Sequence, residues 1–186
     1  MRGFRIIPVV LLVFVSVAPA SQVFLEQISL DRLVRSSDMI LVVRPLAPFY
    51  TAESIKVPGE NKREHSRSIP DFTTAACNLE VLRVIRNRLD KNVEGARIAV
   101  YPANTGDNLY LHTRYYAEGI SKSPLFEKYD SPIEATMLEK EKEFVAFVTW
   151  SWKRDDGRTD FEFTAAGSYD RTDVIPAVDE ILKKNK

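Results

Sequence analysis

Two histidines, a single cysteine and a set of closely spaced aromatics carry whatever chemistry this chain of 186 residues can perform. His65 stands in the polar run Glu60 to Arg67, and His112 lies between Tyr110 and Arg114. A zinc site draws three or four ligands from His, Cys and carboxylates at close spacing. No His-Glu-x-x-His or comparable pattern occurs, so neither a metal nor a cofactor is expected. Serine hydrolysis needs an activated Ser, a His base and an orienting acid. The neighbours His65 and Ser66 are adjacent in a loop, which does not supply that geometry, and no Gly-x-Ser-x-Gly elbow is present. The seven glycines form no phosphate-binding cluster. Acidic residues are so abundant that a glycosidase-like carboxylate pair is possible anywhere and indicated nowhere.

The aromatics are the better lead. Trp150 and Trp152 are two apart in an apolar run, so on a strand they would point to one face. Leu109 to Tyr116 alternates in period two, with Leu109, Leu111, Thr113 and Tyr115 on one side and Tyr110, His112, Arg114 and Tyr116 on the other. Read as a strand with one wet face, it makes His112 part of a polar sheet surface. Exposed aromatics beside charged groups are what a binding surface uses to gain area at low entropic cost. The candidate ligand-binding set is therefore Tyr110, His112, Arg114, Tyr116, Trp150 and Trp152. The competing reading puts Trp150 in the core and makes Trp152 a shield over a barrel end.

These residues need a scaffold, and the apolar patterning supplies one. Ser29 caps a short helix whose stripe is Leu30, Leu33 and Val34. Met39 to Val43 is apolar on both faces, as a strand buried on two sides requires, and Pro45 is expected to close it. From Leu46 to Asp71, prolines and charged residues predict a long polar loop. Phe72 to Arg86 reads as a long strand with a bulge near Arg83, returning through Gly95 to Tyr101 as a hairpin. Ser131, Pro132 and Glu134 form a capping-box pattern that predicts a helix over 132–141. Phe144 to Trp152 and Phe161 to Ala165 make a second hairpin across Asp155 to Arg158. Asp173 can cap a last helix with Val174, Ile175, Val178, Ile181 and Leu182 inward and lysines at its negative end. The expectation is an α+β, mostly β domain: a small antiparallel OB-like barrel or curled sheet of about six strands, with flanking helices and a C-terminal helix.

Cys77 would share one strand face with Ala75 and Leu79, a place for a buried thiol acting as a small hydrophobe. With one cysteine no internal disulfide can form, and pairing between chains is the alternative. Arg2 and Arg5, the apolar run Ile6 to Val17 and the small residues Ala18, Pro19 and Ala20 read as a secretory leader cleaved before Ser21. The apolar stretch is too short for the ~30 Å of a bilayer core. Cleavage would leave 21–186 as a single domain, secreted or periplasmic, without a membrane span. Removing the leader lowers Lys and Arg from 26 to 24 against 26 acidic residues, a net charge of −2. That balance, interspersed along the chain, argues against nucleic acid as partner.

Three segments carry a family resemblance: Leu33 to Val43, Leu79 to Arg86 leading through Gly95 to Val100, and Glu143 to Val148. Their order resembles a loose group of uncharacterised exported bacterial proteins with a small OB-like barrel. In outline that fold is similar to the tissue inhibitors of metalloproteinases. Those inhibitors reach the target's zinc through an N-terminal cysteine supported by disulfides, and this chain has neither. The resemblance therefore implies a fold and an exported location, and no active site. The expected function is non-catalytic binding of a protein, peptide or cell-envelope component. An envelope-polymer hydrolase and a secreted enzyme inhibitor are the alternatives.

Overall fold

The computed structural model describes residues 24–55, 69–89, 91–119, 125–153 and 159–184. The expected leader, the whole polar run Glu60 to Arg67 that holds His65 and the expected turn Asp155 to Arg158 lie outside them. The chain begins with strand β1 (Phe24–Ile28) and helix α1 (Leu30–Ser36), followed by two long strands, β2 (Met39–Ile55) and β3 (Phe72–Asn87). After β4 (Arg97–Tyr101) come helix α2 (Thr105–Glu118) and β5 (Leu125–Tyr129). A 3-10 turn over Ala135–Lys140 leads into β6 (Phe144–Lys153), β7 (Thr159–Phe163) and β8 (Tyr169–Asp170). Another 3-10 turn, Thr172–Val174, leads into the last helix, α3 (Ile175–Lys184).

Six strands form one mixed sheet in the order β2-β3-β4-β7-β6-β8, and β2 also pairs with β6. The fold is thus α+β and mostly β, with the C-terminal helix in place. It is not all antiparallel. β4 runs parallel to β7, because α2 and the segments after it carry the chain across before β6 returns. β1 and β5 form a separate parallel pair.

Two apolar clusters explain why this sequence holds the sheet. Met39, Leu41 and Val43 of β2 point into one, with Cys77, Leu79 and Val81 of β3, Val100 of β4, Phe144, Ala146 and Val148 of β6 and Phe161 and Phe163 of β7. Ile40 of β2 and Val145 and Phe147 of β6 point the other way, against Leu33 and Val34 of α1 and Val178 of α3. Met39–Val43 is therefore buried on both faces, as its unbroken apolar run requires. The α1 cap forms as the sequence indicates, with Ser29 Oγ accepting from Arg32 N at 3.2 Å. Val174 just before α3 and Ile175, Ile181 and Leu182 within it pack against the same cluster as Val178.

The β3 bulge also falls where expected. Arg83 opposes Val42 and Val81 opposes Val43, so Leu82 is the extra residue. β3 and β4 make the first hairpin, and β6 and β7 the second. Gly167, at φ +78°, follows the bridge between Lys128 and Ala166; a Cβ there would fall 2.5 Å from the Tyr129 carbonyl oxygen.

Three more expectations need correction. Pro45 does not end β2, which continues to Ile55 and turns the start of the expected 46–71 loop into strand. β6 accompanies β2 only as far as Val43, so beyond it one row of backbone groups is already unpaired and proline is tolerated. The register with β3 shifts between Pro45 and Tyr50, where the Ala47-Pro48 peptide is cis. The helix expected over 132–141 is a shorter 3-10 turn. Ser131 Oγ does accept from Ile133 N at 3.0 Å, but Glu134 stays extended. The alternating segment 109–116 is helical, within α2, for reasons given with the site. Trp150 and Trp152 are separated by a register shift, with Trp150 opposite Phe161 and Trp152 opposite Asp160.

Candidate functional site

The expected site residues divide between α2 and β6. Tyr110, His112, Arg114 and Tyr116 lie on α2 and Trp150 on β6, where 48% of it is exposed. The side chain of Trp152 is outside the described residues.

Local chemistry explains why a helix forms here. Thr105 is buried, and its Oγ1 donates to Pro102 O at 2.7 Å, fixing the entry turn. Asn104 ahead of it takes the left-handed conformation at φ 61°. Glu162 of β7 accepts from Gly106 N at 3.1 Å, which places a carboxylate at the helix's positive end, and Asp107 adds another in the first turn. At the other end Gly119, at φ 69°, closes the helix with its N–H on Tyr115 O at 2.9 Å.

With 3.6 residues per turn, the residues expected on one strand face separate into neighbours four apart. Tyr110 pairs with Arg114: the guanidinium donates to the phenol oxygen at 2.8 Å and lies 5.8 Å from the ring centroid. His112 pairs with Tyr116, centroids 4.9 Å apart. His112 Nε2 lies 2.8 Å from Pro70 O, and a carbonyl can only accept, so that nitrogen carries the proton. Its ring also meets Phe72 of β3 at 5.5 Å. His112 therefore ties α2 to the segment that enters β3. Tyr115 continues the aromatic series, edge-on to Tyr116 at 5.2 Å.

The outcome is two aromatic groups that are positioned but wet, Tyr110 with Arg114 on one side of α2 and His112, Tyr115 and Tyr116 round the other. Tyr110 is 58% exposed, Tyr115 54% and Tyr116 48%. Tyr115 was assigned to the apolar side of a strand, so strand reasoning hid it. Phe72 was also missed, because its role depends on a contact 40 residues away. A second surface feature escaped the sequence too. A cleft of about 440 Å3 is lined by Leu46 and Ala47 of β2, Asn78 of β3 and Arg97, Ile98 and Ala99 of β4. Asn78 Nδ2 holds the irregular part of β2 beside it, donating to Pro48 O at 2.8 Å and Thr51 Oγ1 at 2.7 Å. The signal for it was Pro45 and Pro48 three residues apart.

Cys77 is buried and unbridged, the role read from its strand position. Burial pushes its thiol up to about 12, so it is not a nucleophile at neutral pH. Burial likewise raises the Tyr50 phenol opposite it. The Tyr129 phenol is raised by burial first and then by its 2.6 Å hydrogen bond to Asp170. Among the described residues no three His, Cys, Asp or Glu side chains gather where they could hold a metal ion. No helix among them is long and apolar enough to cross a membrane.

Comparison with known proteins returned no match: no family model fits the chain, and no curated sequence or solved structure matches it. Geometry alone carries the functional reading.

Proposed function

We propose that this chain is an exported, non-catalytic binding domain that captures a protein, peptide or cell-envelope component on the exposed aromatics of α2. One observation carries the reading. Three tyrosines, Tyr110, Tyr115 and Tyr116, stand about half exposed around one helix, while Arg114 holds the Tyr110 ring on one side and His112, itself against Phe72, holds the Tyr116 ring on the other. Rigid aromatics with a polar tip give large contact area at low entropic cost, and arginine beside them adds a directed donor.

The scaffold we infer is an OB-like barrel. Its support is the closed series of pairings β2-β3-β4-β7-β6 and back to β2, the parallel β4–β7 contact, and an apolar cluster drawn from all five strands. Such a barrel has no free edge to protect and presents loops and the connecting helix as its variable surface. Export rests on Arg2, Arg5 and the apolar run Ile6 to Val17, and an exported domain with one cysteine depends on burial for stability.

The test is capture from an envelope fraction by the wild-type chain and by Tyr110→Ala and Tyr115→Ala. Loss of capture with a melting temperature within about 2 °C of wild type supports binding through the α2 aromatics, since exposed substitutions cost within about 0.5 kcal/mol. Unchanged capture would remove α2 from the interface.

A further inference from the structure

A second, chemically different surface lies behind the sheet, away from the aromatic residues of α2. A cleft of about 430 Å3 is lined by Arg35 of α1, Ile85 and Arg86 of β3, Arg88 just after it, and Asp179, Leu182 and Lys183 of α3. Four cations and one carboxylate share this space in a chain whose formal net charge is zero. The local excess is therefore a matter of placement, not of composition.

Part of that charge has structural work. Arg86 donates to Val34 O, and Arg88 Nη1 donates to Arg35 O at 2.8 Å, so both guanidiniums satisfy carbonyls at the end of α1. Arg35 makes a two-point pair with Asp31, through Nε at 2.7 Å and Nη2 at 3.2 Å. Lys183 lies in the last turn of α3, where a cation offsets the helix dipole. These contacts leave positive charge unbalanced. Each of Arg86 and Arg88 spends one donor of five on a carbonyl of α1, and a backbone oxygen carries no formal charge. With both Asp31 and Asp179 counted, cations still outnumber anions by two, and two helix ends of about half a charge each offset only part of that.

We propose that this cleft binds a phosphate group carried on an apolar moiety. Two guanidinium forks anchored from behind, with an ammonium beside them, match the charge and the several acceptor oxygens of a phosphate. Ile85 and Leu182 give the cleft an apolar wall, and its volume lies within the range of small-molecule sites. The phosphate can belong to a soluble phosphorylated compound or to a lipid headgroup, and the same residues would read either.

The experiment uses the purified protein with three probes: inorganic phosphate, hexyl phosphate, and vesicles of phosphatidylglycerol compared with phosphatidylcholine. Calorimetry should show saturable hexyl phosphate binding, tighter than inorganic phosphate and weakened by salt. Lys183→Gln with Arg88→Gln should weaken it about tenfold, the scale of losing charged hydrogen bonds. Asp179→Asn, which removes the opposing carboxylate from an exposed helix position, should tighten it. Lys183→Gln alone keeps the test readable if removing Arg88 loosens α1. Sedimentation with phosphatidylglycerol vesicles alone, lost in the same variants, assigns the phosphate to a headgroup; solution binding without sedimentation assigns it to a soluble ligand. Absence of saturable binding to every probe, or binding that Lys183→Gln and Asp179→Asn leave unchanged, overturns the proposal and leaves the cations as helix-end partners only.

Discussion

Tyr115 alternates with Leu109, Leu111 and Thr113, yet more than half of it is exposed, because on an outlying helix period two defines no face: Leu111 is its neighbour one turn back, while Leu109 and Thr113 lie well round the helix. Single residues in this chain acquire their roles from such placement. Asp38 is a second example: its carboxylate accepts from Thr149 Oγ1 at 2.6 Å and Trp150 N at 2.9 Å, while its own N–H donates to Val148 O. It fastens the start of β2 to β6. Asp38→Ala should destabilise the fold by about 1–3 kcal/mol in urea titration, because both donors lose their partner. Asp38→Asn should recover part of that loss. Cys77 gives a prediction with a sign. Its folded thiol titrates near 12 against an ordinary value of 9, so folding favours the protonated form. Its contribution is fully present below pH 9 and is lost as pH rises from 9 to about 12. The stability advantage of wild type over Cys77→Ala should narrow across that interval. At pH 8 a disulfide reagent should label Cys77 orders of magnitude more slowly in the native than in the urea-unfolded chain.

Elements were legible where burial dictated their pattern. Met39–Val43 had to be a doubly buried strand, and Leu30, Leu33 and Val34 had to face a core from a helix capped by Ser29. α2 was misread because Leu109 to Tyr116 satisfies period two while being packed on no side deeply enough to show period 3.6. The corrective signals were its ends: Asp107 in the first turn and Gly119 as the left-handed stop. β2 was cut short at Pro45 because proline breaks a central strand, and sequence alone does not reveal that the β6 partner has already departed at Val43. Gly119→Val should fray the last turn of α2, since a β-branched side chain disfavours φ 69°. Hydrogen exchange should then show faster exchange at residues 115–119 with the strands unaffected.

At the scale of the whole molecule, the sheet's return from β6 to β2 organises everything else. One apolar cluster lies on one face of the sheet, and α1 and α3 cover the other face at β2 and β6. α2 is left as an outlying helix pinned by Glu162 and Pro70, with no residue but Thr105 buried among those described. If the ring is closed, Met39–Val43, paired on both sides and covered on both faces, should be the most slowly exchanging segment. Exchange there as fast as in β1 or β5 would mean that the β2–β6 seam opens. The mixed strand directions were beyond the sequence, because they depend on which strand the chain meets after α2, not on any pattern within a strand. The candidate site was legible as a set of residues and illegible as a shape. Tyr110, His112, Arg114 and Tyr116 do share an element, but as two stacked pairs on a helix.

Site-specific photo-crosslinking measures most directly whether the α2 aromatics touch a partner. A photoreactive phenylalanine analogue at Tyr110 should give a discrete crosslinked product with an envelope component, one that Tyr115→Ala abolishes without lowering the melting temperature. The same analogue at Glu134, exposed in the segment before the 3-10 turn, should give none. Identical products from both positions, or none from Tyr110, would contradict the assignment of the α2 aromatics as the binding surface.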